Sequence, residues 1–149
     1  MADPEDAATL KNAYEALNDG DVEGALAPLE QDAEWHEISA LPEAGAYRGR
    51  AEISALLAGF LESWDDLRQE IEDIVVADDQ VGLFIHLRAR GRGSGVEVDR
   101  RYAHVWTMRE GRGVRVDAYD EPDAARAALG RVAQTPQAPT RTTVTRNAE

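Results

Sequence analysis

After Asp65-Asp66 the chain changes its hydrophobic period from that of a helix to two, and it keeps that period to Tyr119. In residues 80–91, Val81, Leu83, Ile85, Leu87 and Ala89 alternate with Gly82, Phe84, His86, Arg88 and Arg90, the signature of a strand with one apolar face. Neighbouring strands are expected at 67–77, 96–109 and 114–119. Asp78-Asp79, Gly91-Arg92-Gly93-Ser94-Gly95 and Glu110-Gly111-Arg112-Gly113 supply turns between them. Connections this short make an antiparallel meander, which needs other elements to cover its apolar face.

The first half of the chain supplies the cover. Asp3-Pro4-Glu5-Asp6 is a helix start, and Leu10, Ala13, Tyr14 and Leu17 follow at helical spacing until Asn18-Asp19-Gly20 stops the run. Asp21 opens a second short helix with Val22, Ala25, Leu26 and Leu29 on its apolar face, shortened or kinked by Pro28. Asp32 to Ser39 is expected as a strand with Trp35 and Glu37 on one face and Glu34, His36 and Ile38 on the other. Residues 40–49 are expected as a loop. Arg50 to Trp64 then carries Ile53, Leu56, Leu57, Phe60, Leu61 and Trp64 on a single helical stripe. Asp120 is expected to cap a last helix over Ala124–Leu129 that Gly130 ends. From about Val132 the periodicity stops, so residues 132–149 read as a disordered tail and 1–131 as one domain. The fold class is α+β: a curved, mainly antiparallel sheet wrapped around helices to form a cone able to hold a ligand.

Composition narrows the function. The 149 residues contain no cysteine, which removes disulfides, thiolate metal sites and cysteine nucleophiles. Net charge is −13; residues 1–80 carry 21 acidic and 4 basic side chains, and residues 81–149 carry 8 and 12. An acidic whole argues against nucleic-acid binding, which rests on phosphate neutralisation. The arginines at 88–101 read as a solvated hairpin pairing with the acidic half. No apolar run of about 18 residues would span a membrane, and the acidic N-terminus is not a secretory signal, so a cytoplasmic location is expected. The three histidines have no metal-ligand spacing, and there is no phosphate-binding glycine loop or G-x-S-x-G, so neither metal nor cofactor is expected.

Several stretches carry a family likeness. Asn18-Asp19-Gly20-Asp21, Asp32-Ala33-Glu34-Trp35-His36-Glu37, Ala46-Tyr47-Arg48-Gly49-Arg50, the Arg90–Val98 hairpin, Ala103-His104-Val105-Trp106 and Ala118-Tyr119-Asp120 occur in an order that resembles the nuclear-transport-factor-2-like fold. Within that fold they look closest to its SnoaL-like branch. The likeness covers about residues 5–130 and is consistent with the cone. The fold hosts isomerases, polyketide cyclases, dehydratases, epoxide hydrolases and plain binding modules, so the site must decide among them.

The resemblance implies roles for particular residues. Ketosteroid isomerases of this fold shuttle a proton on a carboxylate near the end of the first strand, and Glu37 stands at the matching place. Beside Trp35, on a concave face, that carboxylate would be suited to general base work; the bland reading is an exposed strand-end glutamate. His104 stands where those isomerases carry their second, oxyanion-binding acid, with Tyr102, Trp106 and Met108 on the same face. A histidine can donate a hydrogen bond there but is a different device from a neutral carboxylic acid. Tyr14 is the tyrosine nearest to the isomerases' oxyanion tyrosine, one residue out of step, and packing in the apolar stripe also explains it. Leu57, Trp64 and Asp120 complete the expected lining, with Asp120 at the mouth. The aspartate–arginine–aspartate set of the fold's epoxide hydrolases has no counterpart, because Arg88 and Arg90 alternate to the polar face. The expected function is a cofactor-independent isomerase, cyclase or dehydratase type of enzyme on a small apolar carbonyl or epoxide compound. The alternative is a non-catalytic ligand-binding or dimerisation module whose cone is filled by its own indoles. Relatives pair through the outer sheet face, so a homodimer through Phe84, His86, Arg88 and Arg101 is expected.

Overall fold

The computed structural model describes residues 2–38 and 45–129. The tail from 132, Gly130 and part of the 40–49 loop lie outside the described residues. Asp3 opens α1 (Pro4–Asn18) by accepting the Asp6 backbone N–H, and the Asp6 carboxylate accepts the Asp3 N–H in return, a reciprocal cap. Gly20, at φ +82°, makes the reversal into α2 (Val22–Leu26), where Asp21 accepts from the Gly24 N–H. Leu29 is not on this helix. It starts β1 (Leu29–Ile38), one residue after Pro28, which has no N–H to continue a helix.

Within the stretch expected as a loop, β2 (Ala46–Arg48) pairs antiparallel with β1. The third helix, α3 (Gly49–Glu62), stops before Trp64, which begins β3 (Trp64–Ala77) opposite Gly91. The meander continues through β4 (Gln80–Gly91), β5 (Glu97–Arg109) and β6 (Arg112–Tyr119). Glu110 and Gly111, both at positive φ (+53° and +78°), form the two-residue turn between β5 and β6, as the twist of a hairpin favours. The six strands order as β2-β1-β6-β5-β4-β3, and the one parallel pair is β1 with β6. The sheet is curved and open, with helices, as in nuclear-transport-factor-2-like proteins.

The main core lies between the sheet's concave face and α1, α2 and α3. Leu10, Leu26, Ile53, Leu83, Trp106 and Val116 are all buried there. The convex face is also covered, by α4 (Pro122–Ala128), which seats Ala125 over Phe84, Ala103 and Val105. The Arg126 guanidinium lies 3.9 Å from the Phe84 ring centre and bonds Asp73 at 3.1 Å.

This changes the expected outer face. Phe84 is 5% and His86 7% exposed within the single chain. His86 Nε2–H donates to Asp99 at 2.7 Å, and Glu72 accepts from Arg101 at 2.9 Å. Arg88 stays exposed beside Glu70. Periodicity identifies the face turned away from α1–α3, but it does not reveal a later helix returning over it. Asp120 likewise does not cap α4: Glu121 holds the cap position and makes no side-chain bond. Among the described residues, no helix is long and apolar enough to cross a membrane.

Candidate functional site

Strand register sets the spacing of the polar groups on the concave face. Glu37 on β1 lies opposite Ala118 on β6, and Ala118 lies opposite His104 on β5. The Glu37 and His104 side chains therefore flank a methyl group, with backbones about 10 Å apart at two strand spacings. One step deeper, Trp35, Val116 and Trp106 repeat the same line across the three strands. Side chains alternate along each strand, so Trp35 and Glu37 share the concave face while Glu34 and His36 pair with each other outside, at 2.9 Å.

Above Ala118 is a cavity of about 150 Å³. Tyr14, Trp35, Leu57, Tyr102, His104 and Trp106 line it, together with Glu37 and, at its rim, Asp120. The indoles wall the cone and leave space inside it. Two expected lining residues are elsewhere. Trp64 belongs to the first residue of β3 and packs edge-on against Phe60, ring centres 6.5 Å apart. Met108 follows a register shift in the β5–β6 pairing and is buried in the core.

The side chains form two hydrogen-bonded sets. In the first, Trp106 Nε1–H donates to Tyr14 Oη at 3.0 Å, and Tyr14 Oη lies 2.5 Å from His104 Nδ1. The indole can only donate, and among the described residues the buried Tyr14 hydroxyl has no hydrogen-bond partner besides Trp106 and Nδ1; the arrangement that leaves no buried donor unpaired therefore has the tyrosine O–H donating to Nδ1. Nδ1 is then the acceptor, and His104 carries its proton on Nε2. Tyr14 thus does more than fill the helix stripe: it sets the histidine tautomer. In the second set, Trp35 Nε1–H donates to Glu37 Oε2 at 2.5 Å. The Trp35 and His104 rings meet edge to face at 5.1 Å, and Tyr102 stands at 5.2 Å from His104.

Burial decides the charge states. It pushes His104 down to about 3, so the ring is neutral. It pushes the Tyr14 and Tyr102 hydroxyls well above the ordinary tyrosine range, and the nearby Glu37 charge adds to this. At neutral pH these two hydroxyls are protonated and the ring between them is uncharged. At the rim, the Arg100 guanidinium is 3.9 Å from the Asp120 carboxylate and 5.9 Å from the Tyr102 ring centre. Among the described residues, no cluster of three or more His, Asp or Glu is placed to hold a metal ion.

Ala118, Tyr119 and Gln69 are among the lining residues that sequence reasoning did not place there. Gln69 had a signal, because it stands between Leu67 and Ile71 in the period-two row of β3. Its backbone is gripped by the Asn18 amide, which donates to the Gln69 carbonyl at 3.0 Å and accepts from its N–H at 2.8 Å. The end of α1 is thereby fastened to β3 beside the cavity.

Solved structures share this architecture. TerC, co-crystallised with polyporic acid, superposes with a TM-score of 0.70 at 22% identity, over 85% of this chain and 98% of its own. An NTF2-like protein from Burkholderia thailandensis E264 gives 0.68 at 25% identity, over 86% and 98%. A protein with a ketosteroid isomerase-like fold from Catenulispora acidiphila DSM 44928, in complex with trimethylamine, gives 0.68 at 15%, over 87% and 95%. No match to the chain was found among curated proteins. A family model described as the SnoaL-like domain matches residues 10–116. That stretch includes Tyr14, Glu37, Gln69, Tyr102 and His104, and the chain belongs to the SnoaL-like family.

Proposed function

We propose that this protein is an acid–base enzyme of the isomerase, cyclase or dehydratase type, acting on a small, largely apolar carbonyl compound. The observation that carries the reading is the pairing of one carboxylate, Glu37, with one neutral imidazole, His104, on either side of Ala118 in an aromatic-walled cavity. An engineered cavity of about 150 Å³ is enough to hold a benzene ring. A single-ring compound therefore fits within the cone, and a larger one extends past Asp120.

The substrate's carbonyl oxygen accepts from His104 Nε2–H. Glu37 removes a proton from the adjacent carbon, and the electron pair moves into an enolate whose charge the imidazole N–H stabilises. Glu37 then returns the proton to the same or a conjugated carbon. A neutral imidazole serves as the electrophile in this role without becoming a charged acid. That favours a carbonyl over an epoxide, because opening an epoxide requires a proton on the departing oxygen and His104 holds no second proton above about pH 3.

The test is solvent deuterium exchange into the methyl group of acetophenone, followed by NMR. The native protein is expected to accelerate exchange, and Glu37→Gln to lower the rate by about 10²–10⁴-fold, the usual worth of a positioned base. An unchanged rate in Glu37→Gln refutes the assignment. Binding without exchange would leave a ligand-binding module.

A further inference from the structure

Gln69 is 6% exposed and lines the cavity, and among the described residues its Oε1 is the one buried side-chain oxygen or nitrogen atom without a hydrogen-bond partner. An unpaired amide oxygen in such a place is destabilising. The backbone around it is not loose: the Asn18 amide bonds both the N–H and the carbonyl of Gln69. The side chain therefore leaves a fixed point on β3. In the sheet, β3 is four strands from β1, with His104 on β5 between them. Gln69 and Glu37 accordingly stand on opposite walls of the cone.

We propose that Gln69 Oε1 is a specificity-determining acceptor for a hydroxyl group carried by the substrate on the side away from Glu37. The substrate class is then a hydroxylated carbonyl compound, with its carbonyl at His104 and its hydroxyl at Gln69. This rests on the acid–base reading of the same cavity and adds the second point of attachment. A hydroxyl is suited to the task because it both donates and accepts, so it satisfies the amide in either orientation. A substrate with a methyl group there would leave Oε1 unpaired, and a buried polar group left unpaired discriminates strongly against such an analogue.

Two probes of matched shape test this, 4-hydroxyacetophenone and 4-methylacetophenone, titrated by calorimetry into the native protein and Gln69→Leu. The native protein is expected to bind the hydroxyl compound about tenfold more tightly, and the variant to lose or reverse that preference. Ligand-free Gln69→Leu is expected to melt above the native protein, because leucine removes a buried unpaired amide while the Asn18 bonds to the backbone remain. A lower melting temperature would make the amide structural and overturn the proposal. Equal affinity of the native protein for the two ketones would overturn it as well. Loss of binding for both ketones would instead refute the carbonyl reading on which the proposal depends.

Discussion

His104 should make this protein sensitive to acid in a way that one substitution removes. In the unfolded chain the imidazole titrates near 6.5, and in the folded chain burial pushes it down to about 3. Above pH 7 both states are neutral and the group adds no pH dependence. Between the two values the unfolded chain binds a proton that the folded chain refuses, so stability falls as pH falls. The slope is about 1.4 kcal/mol per pH unit, and the whole window is worth on the order of 5 kcal/mol. A domain of this size has roughly 5–15 kcal/mol of total stability, so the effect is large. His104→Asn keeps an acceptor near Nδ1 for the Tyr14 hydroxyl and removes the titration. Urea unfolding at pH 7.5, 6.0 and 4.5, followed by tryptophan fluorescence, compares the two proteins. His36, His86 and the carboxylates are common to both and cancel. From pH 6.0 to 4.5 the native protein is expected to lose about 2 kcal/mol more than the variant. Parallel stability profiles would refute the claim that His104 is buried neutral.

Two further perturbations examine the site's construction. Tyr14→Phe leaves Trp106 Nε1 and His104 Nδ1 without their shared partner, and is expected to cost about 2–4 kcal/mol in urea unfolding; a loss below about 0.5 kcal/mol would mean that the network contributes little. Ala118→Leu places a branched side chain between Glu37 and His104. It is expected to abolish acetophenone binding in calorimetry while costing about 1–3 kcal/mol of stability, and undiminished binding would move the ligand away from Ala118.

The period change after Asp66 is enough to separate helices from meander, and the positions of β3, β4 and β5 follow it within three residues. Alternation likewise places Trp35 with Glu37, and Tyr102 with His104 and Trp106, on the cavity side. Trp64 shows where a local pattern misleads: it continues the stripe of α3, but its backbone pairs with Gly91 across the sheet. The Tyr14–His104 bond joins residues ninety positions apart, and no spacing rule reaches that far. Gln69 stands between Leu67 and Ile71 in the period-two row of β3, which signals its face but not its burial. Its backbone is fixed by Asn18, 51 positions earlier in the chain. The cover that α4 gives Phe84 depends on where the chain turns after Tyr119, and short-range patterning contains no information about that.

The parallel contact between β1 and β6 has a consequence for how the chain assembles. β3 to β6 are linked in series by turns and one short loop, so their pairings close small loops. β1 meets β6 across about eighty intervening residues, and the entropy lost in closing a loop grows with its length. Glu37 reaches Ala118 only through that closure, whereas His104 already sits within the locally connected strands. The two halves of the candidate site come from the segments that are hardest to bring together. A ligand held by both Glu37 and His104 would bridge this seam, and its binding energy would oppose the detachment of β1. In such a molecule, occupancy and the completeness of the fold are coupled at a single junction.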